Sequence, residues 1–417
     1  MNIVILAGGF GERLWPASGS NFPKQFMRFC GGLSFFQQAL RRAALLNCRD
    51  IKNFQNVKSA DNADIQNRKE AETGDSLIAV ITRKAIFQQT VRQCADFAQT
   101  LSADMRRRFL DQLTVIAEPA SRHTTAPLAL ACRYIQALYK QNDIKERALL
   151  SLTADHVIEP FEAFAADVQT AEKQAQSGRF VCFAISPTEA STGFGYIKTG
   201  ECIETGVHTI DAFKEKPDAQ TAQRYIKSGL YFWNSGMFCF LPSVFMNELN
   251  LHVPEIAKHF PECDFLQPDI RETDGIKTVQ SWPYMEDAYK DVPAIAADIA
   301  IAERTDKACA VNASFDWRDI GTWESFAELF DELKYSASVT DGSTKTAHSA
   351  DDTKKANFIE ADSSGCFVYS DIPAVLCGVK DIIAVVKNGK LFIAKKGSSS
   401  LLKDKTVRGF IEGLDLE

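Results

Sequence analysis

The sequence predicts an α/β protein, a mostly parallel sheet flanked by helices and followed by a small β-rich module. Three observations lead there. An apolar, β-branched run, Ile3-Val4-Ile5-Leu6, opens the chain and runs directly into a loop holding Gly8, Gly9 and Gly11. Short apolar runs then alternate with stretches of helical periodicity. Past residue 356 only short alternating runs remain, broken by Gly, Asp and Asn-Gly.

Each element has a local reason. The opening run reads as a buried first strand. Ser34 can cap a helix whose apolar positions Phe35, Phe36, Ala39, Leu40 and Ala43 follow helical spacing. Residues 51–76, rich in Asn, Asp, Gln and Lys, read as an exposed polar insertion. Strands are expected at 76–82, 113–116, 148–152 and 180–185, and helices at 85–98, 126–139 and 161–175. Strands separated by helices of this length imply parallel neighbours with helices on both faces. Residues 336–356 are small and polar and read as a linker. Strands are then expected at 358–361, 366–369, 374–377, 382–386 and 391–394. The expected domains are thus 1–335, the linker, and a β-rich domain over 357–417.

At 417 residues, two domains of unequal size are the default. The formal charge of −7 argues against a nucleic-acid binder, which needs a basic surface. No run approaches the roughly 20 apolar residues of a membrane span, and the N-terminus lacks the basic stretch of a signal peptide. The 11 cysteines are dispersed, with no C-x-x-C pair, as expected of reduced thiols in a cytoplasmic protein. The six histidines form no i, i+4 pair, so no structural zinc is expected.

The glycine loop carries the chemistry. Glycines let backbone N–H groups turn inward on an anion. Arg13 and Lys24 add two cations, which suits a polyphosphate better than a single carboxylate. The spacing excludes a P-loop, because Lys24 does not follow a glycine, and it lacks the third glycine of the dinucleotide fingerprint. In open α/β sheets ligands sit beyond the carboxyl ends of the strands. The loop lies there, and so does Asp155, directly after the apolar strand ending near Leu152.

Leu6-Ala7-Gly8-Gly9-Phe10-Gly11-Glu12-Arg13-Leu14-Trp15-Pro16 followed by Phe22-Pro23-Lys24-Gln25-Phe26 resembles the signature of the nucleotidyltransferases that activate sugar phosphates. It is most similar to that of the bacterial mannose-1-phosphate guanylyltransferases. The resemblance continues through Thr153-Ala154-Asp155-His156, Phe213-Lys214-Glu215-Lys216-Pro217, Phe232-Trp233-Asn234-Ser235-Gly236-Met237-Phe238 and Trp317-Arg318-Asp319-Ile320-Gly321-Thr322-Trp323, over roughly residues 1–330. It implies a Rossmann-like catalytic domain and a short left-handed β-helix at the C-terminus. Many bacterial relatives carry a further cupin-like isomerase domain. This chain ends too soon to hold one, so a single activity is expected.

The implied reaction joins mannose 1-phosphate to the α-phosphorus of GTP and releases pyrophosphate. Such a displacement needs in-line placement and charge neutralisation. The resemblance implies Mg²⁺ held by Asp155 and Asp319; one or two carboxylates suffice for an ion that keeps several waters. It gives Arg13 and Lys24, with those aspartates, the catalytic roles. Nucleotide contacts are implied for Leu6, Ala7, Gly8, Gly9, Gly11, Glu12, Arg13, Lys24, Glu118, Thr125, Ala126 and Asp155. Sugar-phosphate contacts are implied for Gly195, Glu215, Lys216 and Asn234. His156 receives no acid–base role, because a phosphate oxyanion is already nucleophilic. In the segment Glu118-Pro119-Ala120-Ser121-Arg122-His123-Thr124-Thr125-Ala126-Pro127, which corresponds to the family's guanine-reading stretch, His123 replaces an asparagine and one residue is inserted.

The apolar faces of the β module suggest a homodimer contact; neither nucleic acid nor membrane is an expected partner. Two other readings stay open: a nucleotidyltransferase for another nucleotide and hexose 1-phosphate, and a non-catalytic nucleotide-sugar-binding regulatory subunit.

Overall fold

The computed structural model describes residues 1–9, 11–19, 22–29, 32–47, 76–262, 268–332, 344–347 and 356–414. The expected insertion lies outside them apart from Ser76, and so does most of the expected linker. By contact the chain divides into two compact units. The first comprises Met1–Gly8, Ala39–Thr153 and Ile158–Trp317; the second comprises Gly9–Gln38, Ala154–Val157 and Arg318–Glu417. The chain passes between them at Gly8-Gly9, so the units cut across the contiguous ranges 1–335 and 357–417.

The first unit is built on one 11-stranded sheet. Its strands in chain order are β1 (Asn2–Leu6), β2 (Ile78–Arg83), β3 (Leu113–Glu118), β4 (Leu149–Thr153), β5 (Phe180–Ile185), β6 (Tyr196–Glu204), β7 (Val207–Lys214), β8 (Tyr231–Phe240), β9 (Ile270–Thr273), β10 (Ile276–Val279) and β11 (Ala308–Asn312). They lie side by side as β9-β10-β3-β2-β1-β4-β8-β5-β11-β7-β6. Strands β10, β3, β2, β1 and β4 are mutually parallel, with Ile5 opposite Val80 on one side and Leu152 on the other. Alternate residues Val4, Ala79, Ile81, Ile116 and Leu149 pack with the helices Thr125–Gln141, Pro242–His252 and Pro283–Tyr289. Residues of the other parity, such as Ile3, Ile5, Val80, Val115 and Leu150, are equally buried, so both faces are covered.

The sheet is mixed, which corrects the mostly parallel expectation. Strand β8 enters antiparallel between β4 and β5, and β6 and β7 pair antiparallel with each other and with their neighbours β8 and β11. The reason is legible in burial: β6 and β7 are half exposed and carry Lys, Thr, Glu and Asp, so they lack the continuous apolar run that marks a parallel core strand. The expected helices are present as Phe87–Gln99, Thr125–Gln141 and Phe161–Gln176. Ser34 begins the helix Phe35–Asn47 through a reciprocal cap: the Gln37 N–H donates to Ser34 Oγ, and the Ser34 N–H donates to Gln37 Oε1, both at 3.1 Å.

The second unit has its own core. Leu14, Trp15, Met27 and Phe35 from the N-terminal arm pack with Ile320, Trp323 and Phe326 and with Phe367, Tyr369, Ile383, Val385 and Leu402. Trp323 is central, its indole N–H donating to the Trp15 carbonyl at 3.0 Å and its ring meeting Phe326 edge-on at 5.2 Å. All five expected C-terminal strands are present, at Ala356–Ala361, Phe367–Ser370, Ala374–Cys377, Ile382–Lys387 and Lys390–Lys395. Parallel pairings join Phe358 to Ala374, Ser364 to Lys380 and Phe367 to Ile383, each a step of sixteen residues. Within the expected linker, Thr344–Ala347 is a strand, paired antiparallel with Ala356–Ala361. Its alternating β-branched threonines favour extended backbone, so polarity alone misread it.

Replacing Trp323 with Ala removes one of the two tryptophans of this core and one buried hydrogen bond. The expected loss is about 3–5 kcal/mol, read by urea denaturation against the parent chain.

Candidate functional site

In the second unit, the loop after β1 brings a lysine and two aspartates together. Gly11 has φ 61° and ψ 25° and leads into the turn Glu12–Leu14. A Cβ on Gly11 would stand 2.3 Å from the Lys24 backbone nitrogen, so both its conformation and its packing require glycine. Gly9 lies against Gln25, whose Oε1 is 3.9 Å from the corresponding Cβ position. Lys24 starts the turn Lys24–Phe26 and is buried. Its Nζ lies 2.9 Å from Asp155 Oδ2 and 2.8 Å from Asp319 Oδ1. The lysine ring neighbour is Phe35, with Nζ 5.7 Å from the ring centroid.

Opposing effects set the charges. Burial alone would lower the Lys24 pKa, but the carboxylates of Asp155 and Asp319 raise it above the ordinary lysine value. Burial alone would raise the Asp319 carboxyl; Lys24, His156 and Arg13 together hold it well below the usual range. Arg13 is exposed, and its Nη1 lies 3.5 Å from where a Cβ on Gly321 would stand, with Asp319 Oδ2 at 4.0 Å from the same point. Asp155 and Asp319 therefore converge on one cationic position. Two carboxylates around one point fit an octahedral cation that fills its remaining sites with water and phosphate oxygens. Among the described residues no group of three or more His, Cys, Asp or Glu could hold a metal.

The first unit holds the other expected residues in two groups. At the end of β1 the Ala7 N–H donates to the Ile81 carbonyl at 2.8 Å, and Thr82 Oγ1 donates to the Ala7 carbonyl at 3.1 Å. These bonds fix the backbone of Leu6, Ala7 and Gly8. Glu118 ends β3, its Oε1 2.6 Å from the Cβ position of Gly8, and its Oε2 accepts from Tyr289 Oη at 3.2 Å. Burial pushes the Glu118 carboxyl up to about 7, against the pull of Tyr289 and Arg83. Thr125 begins the helix Thr125–Gln141 with Ala126 behind it, both fully buried. The Thr125 N–H donates to the Ile295 carbonyl at 3.2 Å, while its Oγ1 has no partner among the described residues. His123, beside them, has φ 54°.

The second group gathers Gly195, Glu215, Lys216 and Asn234. The Asn234 N–H donates to the Gly195 carbonyl at 2.8 Å. A Cβ on Gly195 would stand 2.5 Å from Glu215 Oε2, so a side chain there would displace the carboxylate. Glu215 pairs with the Lys216 ammonium, and its N–H donates to Glu303 Oε1 at 3.0 Å. Asn234 sits where β8 shifts register against β5. Its Nδ2 donates to Asp298 Oδ1 at 2.7 Å and its Oδ1 accepts from the Gly236 N–H at 3.3 Å. One amide hydrogen and one lone pair of Asn234 remain for a ligand. Phe194 lies edge-on to Trp233 at 5.0 Å and to Trp317 at 5.1 Å, an aromatic wall next to Gly195.

Asp298 and Glu303 were not anticipated. Burial, reinforced by the charge of Glu215, lifts the Asp298 carboxyl to about 6. A signal existed: Asp298 is a lone carboxylate within Ala296-Ala297-Asp298-Ile299-Ala300-Ile301-Ala302, and a charge in an apolar run requires a partner. Glu12 opens the loop turn Glu12–Leu14.

The nucleotidyl transferase family model matches residues 2–336. A mannose-1-phosphate guanylyltransferase of Salmonella typhimurium is 31% identical over 404 residues, covering 94% of this chain and 69% of that protein. A mannose-1-phosphate guanylyltransferase of Escherichia coli is 29% identical, covering 95% of this chain and 70% of that protein. The crystal structure of a mannose-1-phosphate geranyltransferase from Thermus thermophilus has the same fold, with a TM-score of 0.70, 22% identity and 99% of each chain covered.

Because Glu118 binds its proton more tightly in the folded chain than at its ordinary value near 4.5, stability falls as pH rises from there through about 7. Glu118→Gln should remove that dependence. Its melting temperature relative to the parent should rise between pH 5 and pH 8, by the equivalent of up to about 3 kcal/mol.

Proposed function

The chain belongs to the nucleotidyl transferase family, and from that premise we propose that it transfers GMP from GTP to mannose 1-phosphate, forming GDP-mannose and pyrophosphate. The observation that carries the chemistry is the meeting of Asp155 and Asp319 on the Lys24 ammonium. The choice of nucleotide and sugar rests on the activity named for the relatives.

In this reaction a phosphate oxygen of mannose 1-phosphate attacks the α-phosphorus of GTP in line. The new O–P bond forms as the α,β-bridging bond breaks, and its electron pair leaves on pyrophosphate. The backbone of Leu6, Ala7, Gly8, Gly9, Gly11 and Glu12 would cradle the nucleotide phosphates, with Arg13 and Lys24 supplying positive charge. Glu118, Thr125 and Ala126 would line the base. Asp155 and Asp319 would hold Mg²⁺, which neutralises phosphate charge when bound. Lys24, drawn toward the triphosphate, frees both carboxylates for that role. On the acceptor side, Glu215 and Asn234 would take sugar hydroxyls, the Gly195 backbone would close on the ring, and Lys216 would meet the sugar phosphate.

Three further assignments accompany this reading. The C-terminal strands form a left-handed β-helix-like module, a view supported by the repeated sixteen-residue step of their parallel pairings. Its exposed apolar residues, among them Ile372, Val375, Leu391 and Ile393, are the proposed homodimer contact. The protein works in the cytoplasm; no helix among the described residues is long and apolar enough to cross a membrane.

The test is pyrophosphate release by the purified full chain across nucleotide and hexose 1-phosphate pairs, with and without Mg²⁺. GTP with mannose 1-phosphate should give the highest kcat/KM. A preference for dTTP with glucose 1-phosphate, or GDP-mannose binding without turnover, would overturn the proposal. Asp155→Asn and Asp319→Asn should each lower kcat by about 100-fold or more.

A further inference from the structure

We propose that Lys403, in the C-terminal module, is a phosphate-binding residue of the catalytic centre, acting with Arg13 on the polyphosphate of the incoming nucleotide. This rests on the nucleotidyltransferase reading and adds a residue outside the span of the family model, which ends at 336.

The placement of Lys403 is built, not incidental. It closes the short helix Ser399–Lys403, which packs against the turn Glu12–Leu14 that carries Arg13. Leu402, its neighbour, is buried in one cluster with Leu14, Trp15 and Trp323. Ser399 Oγ accepts from the Trp323 N–H at 3.1 Å. The Glu324 carboxylate accepts from the Gly397 N–H at 2.8 Å and from the Ser399 N–H at 3.0 Å. These bonds tie the C-terminal segment to the stretch that follows Asp319, so the short helix that ends in Lys403 is held in place.

Its electrostatic neighbours are those of the centre. Partial burial, chiefly, and then the Arg13 charge lower the Lys403 pKa, while the Asp319 charge opposes them. Among the described residues neither Arg13 nor Lys403 has a hydrogen-bond or ion-pair partner. Two exposed cations held within mutual influence repel one another, and the Asp319 carboxylate that acts on both is already paired with Lys24. An extended polyanion relieves that repulsion, and a polyphosphate has enough charge to engage both.

The experiment measures binding of inorganic tripolyphosphate to the full chain by calorimetry. Tripolyphosphate has neither base nor sugar, so the result does not depend on which nucleotide or hexose proves to be the substrate. Lys403→Ala and Lys403→Met should each weaken tripolyphosphate binding by about tenfold, the loss of one charge-assisted contact, whereas Lys403→Arg should stay within about twofold. In turnover, KM for the nucleoside triphosphate should rise while KM for the sugar phosphate holds. Unchanged tripolyphosphate affinity in the Ala and Met variants would overturn the inference. So would an equal loss in Lys403→Arg, or a loss confined to Lys403→Ala, since either would mark a packing role.

Discussion

A buried ammonium shared by two carboxylates is the constraint on which this architecture turns. Lys24 has lost nearly all its water, a state that is tolerable only with counter-charges at hydrogen-bond distance. Those counter-charges come from Asp155 and from Asp319, 295 residues further along. Gly11 must approach the Lys24 backbone without a side chain, and the turn after Pro23 must aim Lys24 inward. One lysine against two aspartates leaves one negative charge over. The cluster is therefore poised to accept further positive charge, from a metal ion or from the arginine beside it.

The carboxylates at these sites fall into two chemical kinds. Asp319, half-buried, faces lysine, arginine and histidine and stays ionised. Glu118, held by a tyrosine hydroxyl with Arg83 as its modest charge partner, and Asp298, held by an amide near the like charge of Glu215, are both pushed toward neutrality. The first kind suits cation binding; the second suits hydrogen bonding to neutral ligand groups, where a fixed charge would be costly to desolvate. The first kind stands at the Lys24 cluster, and the second stands beside Gly8 and beside Asn234.

Much of this was legible in the chain. The buried parallel strands announce themselves because strands covered on both faces must be continuously apolar, and the cap at Ser34 follows from Ser-x-x-Gln. The motifs around Gly11, Lys24, Asp155 and Asp319 were readable one by one, but their convergence is a tertiary fact that no local pattern encodes. The mixed character of the sheet was hidden in β6 and β7, whose half-exposed faces mimic loop composition. The Thr344–Ala347 strand was hidden by polarity, whereas Asp298 was visible as a lone charge in an apolar run, though its partner Asn234 was not. Lys403 sits in Leu401-Leu402-Lys403-Asp404, part anchor and part surface, and nothing in its spacing betrays what it stands beside.

The second unit is stitched from the beginning, the middle and the end of the chain. Its aromatic core joins Trp15 to Trp323 and Tyr369, so its contacts span most of the sequence. On a ribosome, the glycine arm emerges long before the stretch around Asp319 and Trp323 with which it packs. A polypeptide that stops short of Asp319 thus cannot assemble the Lys24 cluster, however well its earlier strands have folded.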